Sequence, residues 1–240
     1  MSNPDFKRPH TVATNPGDPM RLVRLATCAA LSGSLLVVTT SHAATKPKPV
    51  CNLVTDPPGD AALIGSPSPD PSNDSFDITS VDVASDKTNV TAVIRVKALK
   101  ATSSVAPTGM VWAATFAAEG ATFTLQANAS ATGAITFDGS YKSTASNSLY
   151  GAGITGFFDT TKNEVRITAP LSLISAQSQL SAGTPITAIG ARTAQQVLVT
   201  DVTGARGGGT QLSYAPLSVD ATDPGQDYKA GTPSCVIPGK

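Results

Sequence analysis

Asn89-Val90-Thr91-Ala92-Val93-Ile94-Arg95-Val96 decides the reading of this chain. Val90, Ala92, Ile94 and Val96 alternate with Thr91, Val93, Arg95 and Lys97, a period of two with a charged outer face. That period belongs to a half-buried β-strand and not to a helix. The pattern recurs outward from it. Phe123, Leu125 and Ala127 alternate with Thr122, Thr124, Gln126 and Asn128, and Ile135 and Phe137 begin a run that breaks at Asp138-Gly139, a hairpin-type turn signal. Val165, Ile167, Ala169 and Leu171 follow a turn at Asp159 to Asn163. Ile186 to Ala191 and Gln196 to Val202 give two more runs, and Gln211 to Tyr214 and Gly231 to Val236 are placed to close the sheets. Only Leu171 to Leu180 reads as a helical turn, ended by Gly183. Many short strands with almost no helix predict an all-β fold, an antiparallel two-sheet β-sandwich of jelly-roll-like winding.

The first 43 residues read differently. Met20-Arg21-Leu22-Val23-Arg24 is a basic leader, Leu25 to Val38 an apolar stretch too short and interrupted to span a bilayer, and Ser41-His42-Ala43 places small residues before a cleavage point. Residues 1–43 are therefore expected to be an N-terminal extension plus secretory signal peptide, with Met20 the true start. Residues 44–50 form a flexible leader and 51–240 a single β-sandwich domain, secreted to an extracellular or periplasmic space. A single membrane anchor and a lipoprotein modified at Cys28 are the competing readings of the same segment.

Export decides the available chemistry. Both histidines, His10 and His42, lie in the part expected to be removed, so the mature chain has no Ser-His-Asp or Cys-His catalysis and no imidazole metal ligand. Residues 44–240 carry 13 Lys and Arg against 15 Asp and Glu, a net charge of −2 without a basic stripe, which excludes a nucleic-acid partner. Cys51 and Cys235 survive near opposite ends of the mature chain, and an oxidising compartment favours their pairing over two free thiols. A bridge closing so long a loop stabilises by about 5 kcal/mol in the chain-entropy picture.

Seven aspartates crowd positions 56 to 86: Asp56, Asp60, Asp70, Asp74, Asp77, Asp82 and Asp86. Hard oxygen ligands packed this closely repel one another unless a cation joins them, and calcium is the natural extracellular candidate. Gly59 lets the backbone turn so that Asp56 and Asp60 converge, and Asp77 arrives at the start of the first long strand. The spacing does not fit the twelve-residue helix–loop–helix calcium site, because Ser75 stands where that loop needs glycine. The competing reading is that these aspartates are solvated turn and cap residues. A similar Asp-Pro-Gly segment, Asp223-Pro224-Gly225-Gln226-Asp227, echoes Asp56-Pro57-Pro58-Gly59-Asp60 near the other end.

Among the few aromatics, Trp112 sits in a strand-like stretch of Ala and Val and reads as core. Tyr141 and Tyr150 flank a Ser/Thr/Asn-rich loop and are the candidate ligand-binding platform, since sugars stack on flat exposed rings. Gly151 to Gly156 matches the dinucleotide fingerprint in letters only, because Phe157-Phe158-Asp159 leads into a turn and not a helix. Neither G-x-S-x-G nor S-x-x-K occurs in the mature chain. No catalytic residues are expected.

Val54 to Ala61, Asp77 to Val81 and Asn89 to Val96 resemble the opening of the family-9-type carbohydrate-binding and DOMON-like β-sandwiches, and Phe157 to Leu171 is similar to their middle hairpin. The resemblance implies a module that binds sugars, haem or other small ligands, with a structural calcium ion carried to Asp56, Asp60 and Asp77. One tryptophan cannot build the paired-Trp sugar site of family 9, and the missing histidine leaves haem unsupported. The expectation is a secreted, non-catalytic, calcium-stabilised module binding carbohydrate or another cell-surface ligand. The alternatives are a structural or adhesive envelope protein and a small carboxylate-dependent glycoside hydrolase.

Overall fold

The computed structural model describes residues 46–63, 73–143, 147–150, 152–202 and 210–240. The expected secretory signal at 20–43, Cys28 and Asp70 lie outside the described residues. Twelve strands and one helix follow in chain order: β1 (Val54–Thr55), β2 (Ile78–Ser85), β3 (Asn89–Val96), β4 (Gly109–Ala118), β5 (Ala121–Ser130), β6 (Ile135–Lys142), β7 (Asn147–Tyr150), β8 (Thr155–Asp159), β9 (Glu164–Pro170), α1 (Leu171–Ser178), β10 (Pro185–Val202), β11 (Thr210–Ala221) and β12 (Tyr228–Lys229). They make an all-β sandwich of two antiparallel sheets, one ordered β1-β2-β3-β9-β8, the other β11-β10-β4-β5-β6-β7 with β12 beside β10. The chain crosses between the sheets from β3 to β4, β7 to β8 and β9 to β10. Among the described residues no helix is long and apolar enough to cross a membrane.

Pairing register explains the core. Val81, Ile94 and Val165 form one row across β2, β3 and β9, and Val83, Ala92 and Ile167 the next. All six are fully buried. From the opposite sheet come Trp112, Phe116, Phe123 and Leu125, also fully buried. Trp112 is indeed core: its ring lies parallel to Phe76 at 6.5 Å and takes the edge of Phe158 at 5.0 Å. Gly156 on β8 has no side chain because one would collide with the Phe137 ring and the Arg166 carbonyl.

Four local expectations are corrected. Asp138-Gly139 is not a turn but lies inside β6, opposite Gln126 and Leu125, with Asp138 accepting a cross-strand bond from Asn128 Nδ2 at 2.8 Å. The tight hairpin is at Glu119-Gly120 between β4 and β5, where φ of 48° and 79° supplies the two left-handed residues such a turn needs. The runs Ile186 to Ala191 and Gln196 to Val202 are one strand, β10, whose register shifts near Ala188 (φ 48°) and Thr193 re-phase the alternation. The helix stops at Gln179, which adopts φ 48° and donates its N–H to Ser175, so Gly183 plays no part. Gly231 to Val236 adds no strand beyond a single parallel bridge between Val50 and Ser234.

The outer face of β3, expected to be solvated, is covered. Thr91, Val93 and Asp82 on that face are fully buried. The C-terminal segment lies against it: Gly239 N–H donates to Thr91 Oγ1 at 3.0 Å, Arg166 donates to the Lys240 carbonyl, and Val236 is buried. The Cys51–Cys235 disulfide, with Cα atoms 5.2 Å apart, holds this segment to the start of the domain. Val50 adds two backbone bonds to the same segment, donating its N–H to Pro233 O and accepting the Cys235 N–H. Beneath the tail, Arg95 bridges Asp82 at 2.7 Å and Glu164 at 2.9 Å, and Arg166 reaches Glu164 at 3.2 Å.

Breaking one member of a buried ionic network strands the charge left behind. Arg95→Met, which strands Asp82, is expected to destabilise the fold by about 3 kcal/mol in chemical denaturation. Both cysteines are exposed, so mild reductant reaches them in the native state. Reduction is expected to free the tail: carboxypeptidase then trims residues 236–240 from the reduced protein faster than from the oxidised one, while the β-sheet circular dichroism is unchanged.

Candidate acidic cation site

The structure separates the six described aspartates of the crowded seven by occupation. Asp86 is a turn cap: its Oδ1 accepts Thr88 N–H, Thr88 Oγ1 and Asn89 N–H at 2.7 to 2.9 Å in the β2–β3 hairpin. Those donors hold its carboxyl below the usual range, the Thr88 N–H most strongly. Asp82 is consumed by Arg95 and the Leu53 N–H, and Asp74 pairs with Lys97 at 2.9 Å. Asp77, an expected metal ligand, turns both carboxylate oxygens to the Gly59 N–H at 2.9 and 2.8 Å, with Lys97 Nζ at 3.9 Å. It holds the Pro58-Gly59 turn that carries Asp60.

Asp56 and Asp60 remain, and the structure adds a third carboxylate from far along the chain. Oxygens of Asp56, Asp60 and Asp220 lie within 4.8 Å of one another. Asp56 follows directly from β1, and its backbone N–H is pinned to Thr79 O at 3.1 Å. Asp220 stands near the end of β11, is 8% exposed, and accepts the Ile78 N–H through Oδ2 at 2.8 Å and the Ala221 N–H through Oδ1 at 2.7 Å. Asp60 is exposed. Asp56 Oδ2 is buried and has no hydrogen-bond partner among the described residues. A buried carboxylate oxygen without a donor is costly, and a cation is one way of satisfying it.

The electrostatics agree with the geometry. Burial, then the charges of Asp220, Asp60, Asp77 and Asp223, push the Asp56 carboxyl up to about 6. Burial also raises Asp220, against the opposing hydrogen bond from Ile78. These oxygens can bind a hard cation. Sequence reasoning reached Asp56 and Asp60 and missed Asp220. The echo between 56–60 and 223–227 was the available signal: Gln226 N–H donates to Leu53 O at 2.7 Å, so the two similar segments meet in space.

The proposed tyrosine platform is only partly described. Tyr141 on β6 is half-buried, 6.3 Å from the Phe123 ring. Tyr150 pairs with Gly139 on the edge strand β7, and its side chain lies outside the described residues.

A carboxyl raised in the folded state favours folding fully below its unfolded value near 4, and that contribution is lost as pH rises through about 6. In calcium-free buffer, Asp56→Asn is therefore expected to raise the melting midpoint at pH 7. The gain is expected to vanish near pH 4, where the wild-type carboxyl is already neutral; scanning calorimetry at the two pH values checks it. Neither a protein-family model nor a curated protein matches the chain.

Proposed function

We propose that this chain is a secreted, non-catalytic β-sandwich module that holds a structural calcium ion at Asp56, Asp60 and Asp220 and binds carbohydrate or another extracellular ligand. The observation that carries the calcium part is the buried, unpartnered Asp56 Oδ2 within 4.8 Å of two further carboxylates. The donor set fits the ion: three hard oxygen ligands, with no sulfur or imidazole to favour a softer metal. Calcium takes six to eight oxygens, so carbonyls or water complete the shell. Its role is architectural, because the three ligands come from the end of β1, the loop after it and β11, and one ion ties both sheets together.

The absence of histidine from residues 44–240 supports the non-catalytic part, and the exposed disulfide suits an oxidising compartment. For ligand recognition, Tyr141 and Tyr150 lie on the neighbouring strands β6 and β7 at the edge of the larger sheet. Phe123 behind Tyr141 would stiffen that ring.

Calcium titration with a melting readout tests the first part. Saturating calcium at one hundred times the dissociation constant is expected to stabilise the fold by about 2.7 kcal/mol. Asp220→Asn and Asp56→Asn should abolish the response, and an unchanged transition in calcium and in chelator removes the ion. A glycan array, run with and without chelator and repeated with Tyr141→Ala, tests the second part. No binding under any condition leaves a structural envelope module instead.

A further inference from the structure

At the other end of β2 from the acidic trio lies a cleft of about 530 Å³. Ile78, bonded to Asp220, begins the strand and Ser85, on the cleft wall, ends it, so the two sites stand about 23 Å apart at the rise of a strand. We infer that this cleft binds a small amphiphilic carboxylate, an unbranched fatty acid of about ten carbons, with the chain against its apolar wall and the carboxylate at Lys87. The inference uses neither the calcium ion nor the tyrosines.

The walls are apolar where they are deep. Leu180 and Ala230 are buried, and Leu171 and Ala182 line the cleft beside them. A volume of this size, apolar with a few placed polar groups, is the usual form of a small-ligand site. Two of its polar groups, Lys87 and Ser85, can donate. Lys87 lines it from the exposed tip of the β2–β3 hairpin and has no ion-pair partner among the described residues. Ser85 is 6% exposed, and its Oγ accepts the Gly231 N–H at 3.0 Å. No acceptor for the Ser85 hydroxyl hydrogen is found among the described residues. Ser85 is itself positioned by Tyr228, whose hydroxyl takes the Ser85 N–H at 3.3 Å and donates to Thr232 O at 2.8 Å. The one carboxylate in the wall, Asp86, spends Oδ1 on three donors of its own turn. An apolar slot with an unpaired ammonium and a hydroxyl at its edge selects an oxyanion on an apolar tail over an amine on the same tail.

Isothermal titration of the whole exported chain with decanoate, below its micelle concentration, is the test, with octanoate, decylamine and decan-1-ol as comparisons. Decanoate is expected to bind, octanoate about tenfold more weakly for its two lost methylenes, and decylamine not at all. Lys87→Glu, at an exposed turn where folding is not at risk, should weaken decanoate at least about fivefold. Ala182→Trp, which fills the cleft from an exposed position, should abolish it. No decanoate binding, equal binding of decylamine, or an affinity unchanged in Lys87→Glu overturns the inference. Loss of calcium binding leaves these outcomes unaffected, so the two readings fail separately.

Discussion

Three side chains in one cross-strand row hold the two sheets in register. Trp112 on β4 pairs with Thr193 on β10, and Thr193 pairs with Asp220 on β11. Each reaches the backbone of the segment that enters β2. Trp112 Nε1 donates to Ser75 O at 2.8 Å, Thr193 Oγ1 donates to Phe76 O at 2.7 Å, and Asp220 Oδ2 accepts from Ile78 N at 2.8 Å. These backbone groups leave the ladder as the chain changes from loop to strand, deep in the core, and would otherwise be buried without partners. Sheet-on-sheet packing by apolar side chains is tolerant of sliding; a row of directional bonds to backbone groups of one short segment is not. The larger sheet therefore dictates where the smaller one begins.

The same row explains why an acidic residue sits in a largely apolar layer. Asp220 satisfies Ile78 and, from the same carboxylate, meets Asp56 and Asp60. Its negative charge is stabilised by two backbone N–H groups and opposed by burial and by its acidic neighbours. In the proposed reading a cation would relieve the second without disturbing the first, completing a structural joint.

The opposite face of the smaller sheet is finished by the chain's own end. The tail bonds to Thr91 and to Arg166 of the Asp82–Arg95–Glu164–Arg166 network, so acids on what would be the solvent side of a sandwich are buried and paired with partly covered arginines. Burying such a network costs desolvation that only close geometry repays. The disulfide contributes by keeping the cover in place, joining residues 184 positions apart.

Strand identity was legible in sequence wherever one face is core and one is not. Ala121 to Ser130 and Glu164 to Pro170 show the period of two in burial as in residue type, whereas Asn89 to Val96 alternates in type while both of its faces are buried. The pairing of Cys51 with Cys235 was legible because the expected removal of residues 1–43 leaves only two thiols. Asp138-Gly139 and the split of β10 were misread because turn residues and register shifts look alike until a partner strand is in place. The fate of the aspartates was out of reach for a related reason. A carboxylate's role depends on which donors or charges surround it, and Arg95, Lys97, Gly59 and Asp220 arrive from 13 to 164 residues away from the aspartates they meet. Periodicity is local and therefore written in the chain. Charge compensation is a property of distance in space, and only the packed sheets decided it.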